Sequence, residues 1–323
     1  MKDLIVLTGP TAVGKTELSL KLAQKIDAEI ISADSMQIYQ QMDIGTAKAS
    51  ETERKLVKHY LIDFLSPEAD YSVSQFQDDC DLIINEIKAR NKMPLLVGGT
   101  HLYLRALLEG FMLPDIEPDY QLRDGLEKMA EDQGTERVHQ ILAERDPKTA
   151  AKLHPNDLRR VIRAIEIYEQ TGKTKSFYKE KQEQRPPRYS AYKFALIRSR
   201  ENLYQRINQR VELMMTDGLL EEVKSLLKNY ENLSDTALQA LGYKELISHL
   251  NGEISLDKAV YEIKKRSRHF AKRQLTWLRK EENLIVFNIE REEREDILKT
   301  MLKLIKGEKD YEQEYQKRNK IDF

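Results

Sequence analysis

The chain opens with a short apolar run, Leu4-Ile5-Val6-Leu7, that leads directly into Gly9-Pro10-Thr11-Ala12-Val13-Gly14-Lys15-Thr16. This is the G-x-x-x-x-G-K-[ST] phosphate-loop spacing, and both flanks suit it. A buried strand precedes it, and Glu17-Leu18-Ser19-Leu20-Lys21-Leu22-Ala23 follows at helical spacing with no breaker. The glycines let successive backbone N–H groups curl around phosphate oxygens, and the new helix points its positive end at them. Lys15 adds a point charge at the outer phosphates, and Thr16 supplies a hydroxyl for Mg²⁺. A chain that starts this way is committed to a strand–loop–helix unit that binds a phosphorylated ligand.

The strand–helix alternation continues for about a hundred residues. Strands are predicted over 29–33 and 94–97, and a helix capped by Ser72 or Ser74 runs to about Arg90. This predicts an α/β fold: a P-loop NTPase-like core whose parallel sheet is flanked by helices, with ligands at the carboxyl ends of the strands. Near Pro114 the character changes. Pro118, Pro147 and Pro155 punctuate a stretch without strand-like runs. Its best helix starts at Asn156 as N-cap and stops before Gly172, with Leu158, Val161, Ile162, Ile165 and Tyr168 on the apolar face. The expected organisation is a core over 1–114, an all-helical insertion over 115–190, the core resumed over 191–305, and a charged, flexible tail over 306–323. The resumed core holds a strand at 194–197, a long helix from about Arg200 and a last strand at 284–287.

With 323 residues, 40% of them apolar and 33% charged, the chain can bury a core of this size. No run is apolar enough to span a bilayer, and Lys2 and Asp3 lead straight into the first strand. No membrane contact, no signal segment and a cytoplasmic address are therefore expected. The single cysteine, Cys80, excludes an internal disulfide and lies among Phe76, Ile83, Ile84 and Ile87 at helical spacing, so it reads as a core thiol.

Three strand ends converge on one crevice in such a sheet: the phosphate loop, Asp34-Ser35-Met36-Gln37, and Gly98-Gly99-Thr100-His101. A hydrolytic NTPase wants an apolar strand ending in an acid, yet 95–97 ends in Gly-Gly-Thr. The carboxylate at a strand mouth is Asp34, a candidate general base for group transfer; holding Mg²⁺ through water, or a plain turn, remains open. Thr100 either bonds the reacting centre or closes a local turn. Arg206 and Arg210, one helical turn apart, either face the crevice and stabilise a departing diphosphate or pair with Glu201 and Glu212. Arg159, Arg160 and Arg163 either track phosphates or pair with Asp157 and Glu166. From Ile263 to Lys280 there is no acid, while eight lysines and arginines are interleaved with His269, Phe270 and Trp277. That block fits either a polyanion surface or a solvated face.

Taken together, GPTAVGKT, ISADSMQIYQQMDIGTAK, PLLVGGTHLYLRALLEG, HPNDLRRVIRAIEIYEQTGK and AKRQLTWLRK resemble the bacterial tRNA dimethylallyltransferases, also called tRNA isopentenyltransferases. The resemblance runs in order from Leu4 to about Arg279. It implies transfer of a dimethylallyl group from dimethylallyl diphosphate to the exocyclic amine of the adenosine just 3′ of the anticodon, in tRNAs reading codons that start with U. It also implies Mg²⁺ and a helical insertion that clamps the anticodon stem-loop; a monomer is expected. Carried over by motif, Asp34 is the base, Thr100 its partner, and Lys15 and Arg210 complete the catalytic set. The loop Gly9 to Thr16, with Arg206, would hold the diphosphate. The implied tRNA contacts are Asp34, Ser35, Met36, Gln37, Thr100, Arg123, Arg159, Arg160, Val161, Ile162, Arg163, Gly242, Tyr243, Lys244, Arg273, Gln274, Trp277, Arg279 and Lys280.

Departures from the family pattern are small: Val13 replaces a common Ser, Lys58-His59 a common His-His, and Ala49 a common Pro. The competing reading is a P-loop small-molecule kinase, or a prenyltransferase acting on free adenine nucleotides, neither of which needs a basic surface outside the core.

Overall fold

The structure is a computed structural model that describes residues 2–112, 114 and 116–308. It divides into two compact units: one built from the chain up to Arg105 and again from Tyr189, the other Ala106–Arg188. The insertion thus begins earlier than the proline signal at 114 suggested.

In the first unit, β1 (Leu4–Thr8), α1 (Lys15–Ile26), β2 (Ala28–Ser32), α2 (Glu51–Leu56), β3 (His59–Tyr60), α3 (Val73–Ala89) and β4 (Met93–Gly98) alternate as expected, and α4 (His101–Glu109) leads out. After the insertion come β5 (Ala191–Ile197), α10 (Arg200–Thr216), α11 (Leu219–Asn229), α12 (Asp235–Leu238), α13 (Tyr243–Leu250), α14 (Leu256–Leu278), β6 (Leu284–Asn288) and α15 (Arg294–Ile305). All six strands are parallel, in the order β3-β2-β4-β1-β5-β6. The first and second strands are buried along their whole length, as strands covered on both faces must be. One core packs Ile5, Leu7, Leu22, Leu95 and Phe194 against Ile297 and Met301 of α15, a helix the sequence reading did not foresee. A second core joins Ile38, Tyr39 and Met42 to α10, α11, α13 and α14.

Helix α3 starts at Ser72 in a reciprocal capping box with Gln75, an arrangement that typically contributes about 1 kcal/mol. Cys80 is buried on that helix, and burial raises its thiol pKa, so it is a core thiol as read. No described helix is long and apolar enough to cross a membrane.

The second unit is helical: α5 (Tyr120–Gln133), α6 (Thr135–Arg145), α7 (Pro147–Ala150), α8 (Leu158–Thr171) and α9 (Lys175–Glu183). Its core is Leu126, Val138, Leu142, Val161, Ile162 and Ile165. The N-cap of α8 is Asp157 rather than Asn156, and Gly172 ends it in the left-handed conformation expected of a stop. The predicted flexible tail falls, from residue 309, outside the described residues.

Candidate active site

Strand register brings the candidate site together. Thr8, at the end of β1, is level with Gly98 on β4 and Ala195 on β5, and Ser32 on β2 is level with Val97. The phosphate loop, the 33–37 segment and the Gly99-Thr100 turn therefore leave the sheet at the same height. Gly98 makes this possible: a Cβ there would lie 2.1 Å from the carbonyl oxygen of Ala33, the residue before Asp34. Ala33 N–H donates to Val97 (2.8 Å), Thr100 N–H donates to Ala33 (3.2 Å), and Ser35 N–H donates to the Thr100 hydroxyl (3.2 Å). Asp34 Oδ1 accepts from Met36 N–H at 3.0 Å, which holds the carboxylate across its own turn. Gln37 is a strut rather than a free hand, since its amide donates to Thr46 and Ala47 carbonyls and accepts from Ser32.

The loop is held by cations. Lys15 Nζ donates to the carbonyls of Gly9 and Pro10, both at 2.9 Å. Arg206 Nε donates to Ala12 (3.0 Å), and Arg198 Nε donates to Val13 (3.2 Å). Gly14 sits at φ 108°, a conformation that closes the loop into α1 and suits glycine. Neither Arg206 nor Arg210 takes an acid within 4 Å among the described residues, and Glu212 pairs with Lys264 instead. The surface-pairing alternative for the two arginines is thus excluded.

Burial lowers the Lys15 pKa to about 8, with the Asp34 carboxylate opposing the drop and Arg210 adding to it. Arg210 is likewise pulled down by burial, with Asp34 again opposing and Arg206 reinforcing. Half-buried cations that pair with no acid among the described residues suit an incoming anion. Arg198 was missed in the sequence; its signal would have been its place just past the end of β5, level with the loop.

Thr11 of the phosphate loop, Asp34, Thr100 and Arg210 open on one cavity of about 310 Å³. Thr11, Asp34, Thr100, Arg210 and Arg273 form its polar side; Ile207, Val211, Met214, Leu219 and Phe270 form the apolar side. An ionised carboxylate, a phosphate cradle and an apolar wall within one cavity suit an apolar group carried on a phosphate and an acceptor that gives up a proton.

For a metal, the described residues hold no cluster of three or more His, Cys, Asp or Glu that could bind one unaided. Thr16 lies exposed in the first turn of α1, and its hydroxyl makes no hydrogen bond among the described residues. That donor set fits a Mg²⁺ ion that arrives with phosphate oxygens and water, which is how Mg²⁺ is usually held.

The implied tRNA contacts divide sharply. Met36 and Gly242 line the cavity. Arg273 and Trp277 on α14, and Arg279 and Lys280 just past its end, are exposed, and Trp277 stacks beside His101 with Arg105 near its ring. Lys244, on α13, borders a neighbouring hollow with Arg266, His269 and Arg273. The first part of the basic block is neutralised: Lys264 pairs with Glu212, Lys265 with Glu262, and Arg266 with Glu245 and Glu262.

Four of the named side chains are buried. Val161 and Ile162 are buried in the core of the helical unit, because the same apolar periodicity that makes α8 a helix turns them inward. Tyr243 is buried against Gly45, and its hydroxyl donates to Glu222 at 2.6 Å. Gln274 is buried and bonded to two loops. None of these four side chains faces outward.

Within the helical unit, Arg123 grips Glu166 with two hydrogen bonds (2.8 and 2.9 Å), and Arg163 adds a third at 2.5 Å. Burial pushes the Glu166 pKa up, but these guanidiniums and the Asp119 N–H outweigh it and hold the carboxyl low. Arg160 pairs with Asp157, while Arg159 is exposed and has no ion pair among the described residues. Lys175 on α9 is lowered by burial and by Arg160 and Arg163, so like charges gather on this side of α8 despite the pairing.

Residues 37–281 match the family model described as IPP transferase. The chain belongs to this family. It is 52% identical over 286 residues to the tRNA dimethylallyltransferase of Halothermothrix orenii, covering 88% of this chain and 87% of the relative. Its identity to the Carboxydothermus hydrogenoformans enzyme of the same name is 48% over 301 residues, covering 93% and 96%. The crystal structure of the full-length tRNA isopentenylpyrophosphate transferase from Bacillus halodurans superposes with a TM-score of 0.71 at 39% identity, covering 99% of this chain and 100% of that one. A eukaryotic dimethylallyltransferase described as acting on tRNA gives a TM-score of 0.79 at 28% identity, covering 95% and 80%.

Proposed function

We propose that the protein transfers a dimethylallyl group from dimethylallyl diphosphate to the exocyclic amine of the adenosine 3′-adjacent to the anticodon, in tRNAs reading codons that start with U. The observation that carries this is a cavity lined together by Asp34, Thr100, Arg210 and Thr11 of the phosphate loop. In the reaction the allylic C–O bond breaks and its electron pair leaves with the diphosphate. A C–N bond forms to the adenosine amine, and the amine proton passes to the Asp34 carboxylate. An aromatic amine is a weak nucleophile, so the allylic carbon carries cationic character when attacked. Lys15, Arg206 and Arg210 stabilise the charge that grows on the leaving group. Mg²⁺ held by Thr16 and diphosphate oxygens would add positive charge there. The adenosine must leave its stack to reach the strand ends, at a cost of a few kcal/mol that contacts to the stem offset.

Exposed cations on the late part of α14 and on α8 support tRNA as the acceptor, as do the names of the relatives. A monomer and a cytoplasmic address, where tRNA is met, belong to the same proposal. The deciding experiment mixes the protein with labelled dimethylallyl diphosphate, Mg²⁺ and unmodified tRNA and counts label in the RNA. Label on free AMP instead, or turnover only with ATP as donor, sinks the reading in favour of a nucleotide-directed transferase or kinase.

A further inference from the structure

Gln274 occupies an unusual place for a residue in the basic stretch of α14. It is 3% exposed, while Arg273 and Trp277 beside it on the same helix are exposed. Its carbonyl Oε1 accepts from the Thr11 N–H of the phosphate loop at 2.9 Å, and its Nε2 donates to the Gly99 carbonyl at 3.0 Å. One partner is a donor and the other an acceptor, so only one orientation of the amide satisfies both. Gly99 is shaped to this contact, because a Cβ there would stand 2.3 Å from Gln274 Nε2.

Thr11 and Thr100 both line the cavity, one on the side of the cradled phosphate and the other on the side of Asp34. The distance between those two walls is the distance between donor and acceptor. The amide of Gln274 is a direct brace across it: one end holds the phosphate loop, the other holds the turn that places Thr100.

We propose that Gln274 is a positioning residue that fixes the phosphate loop against the Gly99-Thr100 turn, and that it does not contact RNA. This rests on the transfer reaction proposed above. Its chemical requirement is an acceptor and a donor on one rigid fork. Gln274→Met keeps the volume and loses both bonds. Gln274→Glu keeps the acceptor for Thr11 but, while ionised, sets a second acceptor against the Gly99 carbonyl. Burial raises the pKa of such a carboxyl, and its protonated form restores the donor.

The test measures four things on wild type and both variants: thermal unfolding, affinity for inorganic diphosphate, affinity for tRNA, and kcat for transfer at several pH values. The expected result is an unaltered tRNA affinity, with kcat lower by about 100-fold in Gln274→Met, the scale of loss that follows a misplacement of about 1 Å. Diphosphate affinity should fall in the same variant while the melting temperature stays near that of wild type. For Gln274→Glu, the ratio of its kcat to that of wild type should climb as pH falls. A flat ratio, or a Gln274→Met variant with unchanged kcat and diphosphate affinity, overturns the positioning role. A loss confined to tRNA affinity overturns it as well and returns Gln274 to the RNA surface. Wild-type protein that binds diphosphate yet labels no RNA refutes the transfer reading alone, since the diphosphate titration still decides whether Gln274 holds the loop.

Discussion

Arginines do opposite work in the two units. In the helical unit Arg123 and Arg163 share the buried carboxylate of Glu166, and Arg160 pairs with Asp157. At the strand ends, Arg198 and Arg206 donate to loop carbonyls, and Arg210 has no acid within 4 Å among the described residues. A paired guanidinium beside a buried acid is self-sufficient and stabilises its own unit. A guanidinium held by burial against neutral carbonyls leaves charge unspent for an incoming anion, as the lowered pKa values of Lys15 and Arg210 report. The difference separates scaffold from site better than composition does.

The largest effect expected at the site is that of Asp34→Ala. Removing the proton acceptor should lower kcat by roughly 10³-fold, while inorganic diphosphate binds as tightly as before or more tightly, because a negative charge has left the cavity. Unchanged turnover would remove Asp34 as the base. Next comes Arg210→Ala, which should weaken diphosphate binding by about tenfold or more through loss of a charge-assisted contact; titration calorimetry reads it. In the helical unit, Glu166→Gln should instead leave diphosphate affinity alone and destabilise by about 2 kcal/mol, since two guanidiniums lose a buried partner but remain partly exposed. Chemical unfolding checks this, and an effect on diphosphate binding would erase the contrast between the units.

Lys15 supplies a pH test of the same contrast. Burial lowers its pKa to about 8, and a bound anion raises it. Below pH 8 the ammonium is already present, so affinity for diphosphate should be full there. As pH rises above 8, binding must bring a proton with it, and affinity should decline towards the pKa of the bound state. A flat profile between pH 7 and 9.5 would mean that Lys15 does not hold the anion.

Much of this was legible in the chain. The strand–loop–helix start, the Gly98-Gly99-Thr100 end of β4 and the N-cap of α3 at Ser72 follow from local rules, because each depends on residues a few positions apart. Asp34 and Thr100 could be named for the same reason, as the first polar residues past two buried strands. What escaped depends on long-range partners. Arg266 looked like part of a one-sign block, yet Glu245 reaches it from another helix. Gln274 lies in an exposed-looking motif, but its bonds go to residues 263 and 175 positions away. Tyr243 is named only as an implied tRNA contact, and its packing against Gly45, distant in sequence, gives no local signal. Edge strand β3, two residues long and half-buried, is too short for any periodicity to announce it.

The smallest expected effect probes the same distinction inside one helix. Lys264 and Lys272 both sit on α14 in the basic stretch, and composition treats them alike. Lys264 is tied to Glu212 at 2.8 Å, whereas Lys272 is exposed and has no ion pair among the described residues. A lysine that neutralises an RNA phosphate releases counterions, and its loss should reduce the steepness of the salt dependence by about 0.7 to 0.9 per contact. Lys272→Ala should therefore weaken tRNA binding severalfold at low salt and flatten log Kd against log salt. Lys264→Ala should change neither by a comparable amount, since its charge is already met and Glu212 is left behind as a free acid. Equal slopes for the two variants would mean that partner geometry on α14 does not select which cations RNA uses, and the net charge of the helix would then be the better guide.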